Sequence, residues 1–184
     1  GAAEEWSTTR PVGAWATSTS INTARNSAAS AGESAEAALL FGGNKPSLTA
    51  DTEIWNGTAW TETNNMLTAR NGFAGNGTST SALGYGQDDP ARSGLTESWN
   101  GTSWSEKADL STVRRQAGGL GADNESALTF GGENTTINLI TNTEEWNGSA
   151  WTETGDLNTG RLGMAGTGIT TAGLASAGRQ VDPD

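Results

Sequence analysis

The chain has no cysteine and no histidine among its 184 residues. Disulfides and thiolate metal centres are therefore excluded, and the redox compartment stays open. The usual general base and the commonest transition-metal ligand are missing as well. There is one tyrosine, Tyr85, and lysine occurs only at Lys45 and Lys107. Ten basic side chains against 21 acidic ones give a formal net charge of −11. That balance argues against nucleic acid as a partner, because phosphate binding needs clustered Lys and Arg. No apolar run approaches membrane-spanning length and no signal peptide is visible, so no membrane insertion is expected. Leu, Ile, Val and Phe together number only 24, a scarcity that with this charge would point to disorder. Eight tryptophans answer it, since each buries a large aromatic area.

Those tryptophans are periodic. Trp55-Asn56-Gly57-Thr58-Ala59-Trp60 returns as Trp99-Asn100-Gly101-Thr102-Ser103-Trp104 and as Trp146-Asn147-Gly148-Ser149-Ala150-Trp151. A looser copy holds Trp6 and Trp15 with a longer insert between them. Ten residues after each second tryptophan stands an arginine: Arg25, Arg70, Arg114 and Arg161. Four residues before each arginine is an apolar side chain (Ile21, Met66, Leu110, Leu157), and seven after it is a glycine (Gly32, Gly77, Gly121, Gly168). A further glycine ends the next apolar run at Gly42, Gly86, Gly131 and Gly178. A period of this length marks stacked or ring-like repeat folds.

Each copy reads as four short strands. The runs ending at Gly42-Gly43, Gly86 and Gly131-Gly132 are buried-strand candidates. Asn56-Gly57 and its equivalents predict two-residue hairpins, because both residues tolerate positive φ. The Gly, Ala and small polar residues after each arginine suit an inner strand where chains crowd a central axis. No stretch carries helical periodicity with caps.

This order resembles the kelch family of β-propeller repeats: a strand ending in double glycine, an aromatic, a tryptophan, then an apolar residue and an arginine. Gly42-Gly43, Trp55, Trp60, Met66 and Arg70 fill those places, with tryptophan where the family usually has tyrosine and a shorter spacing to the second tryptophan. The Trp-Asn-Gly variant also resembles repeats in virion-associated and hypothetical proteins of marine phages and bacteria. The resemblance implies an all-β propeller; the four copies of the repeat make it one of four blades, small for this family, each of four antiparallel strands. The blades fall at about 27–63, 72–107 and 116–154, with a split blade of 1–19 plus 163–180. The ring would close by pairing the N-terminal outer strands with inner strands from Gly163 to Gly178, which leaves no free edge. A piece of a larger ring or a tandem array is the alternative.

Site candidates follow from this arrangement. Trp6, Trp15, Trp55, Trp60, Trp99, Trp104, Trp146 and Trp151 read as structural packing between blades; exposed, they would instead stack on sugar rings. Arg25, Arg70, Arg114 and Arg161 would converge on one mouth of the channel, able to bind an anion or acidic ligand, or would each pair with a carboxylate. Loops on that face, carrying Asp88, Asp89, Glu133 and Asn134, are candidate recognition elements. Asp88-Asp89 and Asp182 with Asp184 offer hard oxygens, but no spacing matches a calcium loop, so neither metal nor cofactor is expected. Asn-Xaa-Ser/Thr sequons stand at Asn56, Asn76, Asn100, Asn124, Asn134 and Asn147. Propeller oxidases resembling this fold need Tyr, His and Cys around copper, and propeller sialidases need a tyrosine nucleophile. Tyr85 takes the place that Phe41 and Phe130 hold in sister repeats, a structural position. The expected function is a non-catalytic binding or structural propeller, extracellular or on a virion surface, of the phage fibre, decoration or adhesion kind. Its partner would be a protein in an assembly or a surface glycan; the alternative is a carbohydrate-binding, lectin-like propeller.

Overall fold

The computed structural model describes residues 3–7, 14–88, 91–136 and 138–180, with side chains from Thr17 onward. Sixteen strands and no helix occur among them. Three antiparallel sheets have four strands each, running in chain order. The first holds β3 (Ala29–Ser34), β4 (Ala37–Phe41), β5 (Thr52–Trp55) and β6 (Trp60–Thr63). The second holds β7 (Ala74–Gly77), β8 (Ala82–Gln87), β9 (Ser93–Trp99) and β10 (Trp104–Glu106). The third holds β11 (Gly118–Leu120), β12 (Ala127–Phe130), β13 (Thr143–Trp146) and β14 (Trp151–Glu153). Two separate hairpins are formed by β1 (Ala3–Ser7) with β2 (Ala14–Ser18), and by β15 (Leu162–Ile169) with β16 (Ala172–Arg179).

The repeat sets the register. Trp55 lies opposite Trp60, Trp99 opposite Trp104 and Trp146 opposite Trp151, and the longer first hairpin keeps the same Trp6–Trp15 pairing. In the three four-stranded sheets the paired indoles touch, with centroids 5.4–5.5 Å apart. Closing the strands on a tryptophan pair leaves four residues in the turn, so the expected two-residue hairpin is corrected to a four-residue one. Asn56 makes the longer turn possible: its Oδ1 accepts the N–H groups of Thr58 and Ala59, both at 3.0 Å. Gly57 takes the positive φ of 87° that the turn demands. Asn100 and Asn147 repeat the arrangement. A side-chain oxygen that replaces a backbone acceptor is the reason asparagine favours turns.

The sheets stack through their inner strands: β3 lies beside β7, β7 beside β11, and β11 beside β15. The aromatic that ends β4 and the one near the end of β8 each reach the second tryptophan of the next sheet. Phe41 meets Trp104 at 4.8 Å and Tyr85 meets Trp151 at 4.9 Å between centroids. The indoles also bond across the same seam, Trp104 Nε1 donating to Thr52 Oγ1 and Trp151 Nε1 to Thr96 Oγ1, each at 3.0 Å. This explains how so few aliphatic residues suffice. The middle sheet is covered on both faces, every residue of β8 being buried, whereas seven of the eight residues of β16 are exposed.

The small residues of the inner strands are required by close approach. A Cβ on Gly75 would stand 2.7 Å from the Phe41 ring, one on Gly119 would strike the Tyr85 phenol oxygen, and one on Gly166 the Gly119 carbonyl. Gly119→Ala is therefore expected to destabilise the fold by about 1–3 kcal/mol through overpacking. Tyr85→Phe removes the clashing oxygen and also the 3.4 Å hydrogen bond to the Leu128 carbonyl. The double variant should lose less than the sum of the singles, because the two sites share one contact; urea denaturation of all four proteins checks this.

The pairing expected between the N-terminal strands and Gly163–Gly178 is not formed among the described residues. The β1–β2 and β15–β16 hairpins are separate two-stranded sheets, and no described sheet closes a ring. Each hairpin is complete through local contacts, whereas joining them requires the longest chain closure in the molecule.

Candidate functional site

Three of the four repeat arginines are enclosed in one recurring clamp. Arg25 Nη2 meets Glu53 Oε1 at 2.8 Å, Arg70 Nη2 meets Glu97 Oε1 at 3.2 Å, and Arg114 Nη2 meets Glu144 Oε1 at 2.6 Å. These guanidinium groups have no exposed surface. Each glutamate lies two residues before its first tryptophan and also accepts two backbone N–H groups from the loop ahead of its arginine. Glu53 takes those of Asn22 (2.7 Å) and Thr23 (3.4 Å). Glu97 takes Leu67 (2.7 Å) and Thr68 (3.2 Å), and Glu144 takes Ser111 (2.7 Å) and Thr112 (3.1 Å). Arg114 further donates to the carbonyls of Asn142, Gly131 and Thr112. Burial pulls the Arg70 guanidinium down to about 10, against the opposing pull of Glu97 and Asp109; it stays charged at neutral pH.

The expectation that these arginines line a channel mouth is thus corrected for Arg25, Arg70 and Arg114. Their charges are neutralised inside the sheets and offer nothing to a soluble anion. Arg161 differs: its Nη1 donates to the Ala177 carbonyl at 3.2 Å, and among the described residues no carboxylate reaches it.

The residues that do line the recess at this end are two positions further on: Ser27, Gly72, Gln116 and Gly163. All four are left-handed, with φ of 53°, 61°, 49° and 68°. They are chained by backbone bonds from sheet to sheet: Gly72 N–H to Ser27 C=O (3.3 Å), Gln116 N–H to Gly72 C=O (2.7 Å) and Gly163 N–H to Gln116 C=O (2.8 Å). Glycine at two of the four positions is the only sequence signal for this feature. Serine and glutamine at the other two adopt the strained φ because the cross-sheet bonds hold them there.

The loops around this recess carry the second cluster. Asp88 and Glu133, from different sheets, are joined by Arg115, whose Nη1 lies 2.8 Å from Asp88 and whose Nη2 lies 3.1 Å from Glu133. Arg92 adds a 2.7 Å contact to Glu133 and donates to the Asn134 carbonyl. The hydrogen bond from Arg115 to Asp88 raises the guanidinium above its ordinary value, ahead of the lowering by burial. Asn134 folds its own loop, its Oδ1 accepting from Thr136 and Asn138. Asp88, Glu133 and Asn134 lie close together, linked through Arg92 and Arg115. Arg92 and Arg115, which neutralise them, escape sequence reasoning because no repeat position marks them. Asp89, Asp182, Asp184 and the side chains of Trp6 and Trp15 lie outside the described residues. No group of three or more metal-ligating side chains occurs among the described ones.

The remaining tryptophans are buried, Trp55, Trp99, Trp104, Trp146 and Trp151 at 7% exposure or less, so their rings are not sugar platforms; Trp60 alone is half-buried. The sequon at Asn76 is buried, and the Asn124 amide is held by Ser98 and Trp99.

Two carboxylates tie stability to pH. The hydrogen bond from Lys45 holds Asp51 below the usual carboxylate range against the raising effect of burial. Burial raises Glu33, but the N–H and O–H of Ser79 outweigh it and leave that carboxyl low too. A lowered folded value means stability that is present above the unfolded pKa, about 4, and is lost as pH falls through the folded one. Thermal midpoints should be flat from pH 7 to about 5 and drop below about pH 4, with the drop smaller in an Asp51→Asn, Glu33→Gln variant.

The sheets, seams and clamps define an all-β protein of stacked four-stranded antiparallel sheets that hold variable loops at one end. No protein-family model and no curated protein matches the chain. Among solved structures it is similar to that described as "Structure of YjhT", with a TM-score of 0.78 at 13% identity, over 98% of this chain and 67% of that one. At this identity the likeness shows the fold alone.

Proposed function

We propose that the chain is a non-catalytic, kelch-like β-propeller of four blades. In it, β1–β2 supplies the outer strands of the blade whose inner strands are β15–β16, and the ring serves as a binding or assembly module. The observation that carries this reading is the use of the repeat itself. In the three complete sheets its tryptophans, arginines and glutamates are spent within and between blades, while residues outside the repeat, Arg92 and Arg115 with Asp88 and Glu133, fix the loops of neighbouring blades on one face. A rigid frame presenting ordered loops is how recognition surfaces are commonly built. The likeness of the Trp-Asn-Gly repeat to virion-associated sequences, together with the acidic, cysteine-free composition, favours an extracellular or virion-surface setting with a protein partner.

An antibody against the chain tests the setting. In cultures of an organism carrying the gene it should label the particle or extracellular fraction. Label confined to the cytosol overturns that setting. The loop face is tested by arraying the protein against components of those particles: Arg92→Ala with Arg115→Ala should abolish capture of a partner that the parent chain retains.

A further inference from the structure

The clamp recurs three times in full and once in half. In each complete copy an arginine and the amides three and two residues before it surround one glutamate. The fourth copy has Arg161 and the amides of Asn158 and Thr159, and among the described residues no carboxylate stands with them. We infer that Arg161 with these two amides is a receptor for a single carboxylate, and that its occupant is Glu4 of the same chain. This rests on the closed-ring reading above and names the contact that would hold it shut.

The register selects Glu4. Glu53, Glu97 and Glu144 each stand two residues before the first tryptophan of a pair, and Glu4 stands two before Trp6. In the complete sheets the second strand pairs with the third so that Leu40 faces Glu53, Gly84 faces Glu97 and Thr129 faces Glu144. The same offset, counted from the glycine that ends each second strand, sets Ser176 opposite Glu4 and Ala175 opposite Glu5. The edge that would receive β1 is available, since β16 is exposed at every position but one, Leu174 to 62%. Two further positions fit. Thr143 stands where Thr52 and Thr96 accept an indole from the next sheet, which gives Trp15 an acceptor. Trp60, the second tryptophan of the first complete sheet, would find Ala3 and Ala177 where its sisters find a threonine and a Phe or Tyr. Its Nε1 is buried without a hydrogen-bond partner among the described residues. That seam therefore lacks the aromatic and hydroxyl contacts of the others, which leaves more of the closure to the joint of β1 on β16, and the clamp lies there, inside one blade as the Arg70–Glu97 clamp lies inside the second sheet.

The test uses the whole 184-residue chain, which contains no cysteine. Glu5→Cys with Ala175→Cys places two thiols on neighbouring strands, within disulfide range only if β1 lies on β16. A disulfide within one monomer, formed at low protein concentration, is the expected result. Separately, Glu4→Gln should lower the urea midpoint by as much as Glu144→Gln does, Glu5→Gln should leave it unchanged, and Glu4→Arg with Arg161→Glu should recover most of the loss. If the disulfide forms but Glu4→Gln behaves like Glu5→Gln, the ring closes without this clamp and the inference is overturned while the closed ring stands. If the disulfide links two chains or fails to form, the closed ring itself falls.

Discussion

Glu144→Gln should destabilise the protein by about 3–5 kcal/mol, the cost of leaving a buried charge without its partner. Glu144 has no exposed surface and accepts from Arg114, Ser111 and Thr112 together. The glutamine amide keeps the shape and loses both the charge and one acceptor oxygen. An N–H₂ group then faces an N–H group, and the Arg114 guanidinium stays buried among carbonyls. For a domain with a total stability of about 5–15 kcal/mol, this single change takes a large share. The control separates charge from packing. Arg114→Met with Glu144→Leu removes both ions at similar volume and should recover much of the loss, because apolar replacement of a whole buried pair is often close to neutral. The Ser111 and Thr112 amides both lose their acceptor when residue 144 is leucine, so recovery should stop short of complete. Urea midpoints of the three proteins decide the matter; a Glu144→Gln midpoint equal to the parent's would show that the clamp contributes nothing.

Trp99→Ala should cost about 3–5 kcal/mol, the usual range for removing a large buried aromatic. Trp99 is 0% exposed. Its ring lies against Trp104, and its Nε1 donates to the Ser79 carbonyl at 3.1 Å. Trp104 in turn packs on Phe41 and bonds to Thr52 of the previous sheet. Truncation therefore loosens the seam between the first and second sheets as well as one blade. Trp60→Ala should cost clearly less, since Trp60 is only half-buried and its indole N–H makes no hydrogen bond among the described residues. Comparing the two thermal midpoints checks whether the tryptophans contribute in proportion to burial and not merely by belonging to the repeat.

Most of the strand plan is legible because the repeat is written in residues with strong local meaning. Paired tryptophans, a turn asparagine and terminal glycines each impose one conformation wherever they occur, and four aligned copies cancel the ambiguity of any single one. The turn length is not legible in the same way. Asn-Gly read alone signals a two-residue hairpin, whereas the tryptophan pair outside it fixes the register two residues wider. The arginines fall in the loops where the repeat puts them, but their direction has no sequence signature: a guanidinium can face a channel or fold back on its own sheet. The deciding residue is Glu53, Glu97 or Glu144, about 30 positions away. It sits at the same repeat position each time, so the signal is present as an aligned glutamate whose burial no sequence pattern reveals.

The sequence by itself determined the number of repeats, the strand order and the small residues of the inner strands, because these follow from local conformational preference and from periodicity. Only the tertiary structure decided that Arg70 and Arg114 are buried and spoken for, that Ser27 and Gln116 join Gly72 and Gly163 in a left-handed series bonded from sheet to sheet, and that Arg115 ties Asp88 to Glu133. The clamps depend on which strand of its own sheet each arginine meets, and the other two on which residues of neighbouring sheets meet at a seam. Seams are set by the stacking of whole sheets, and the local chain carries no record of that stacking.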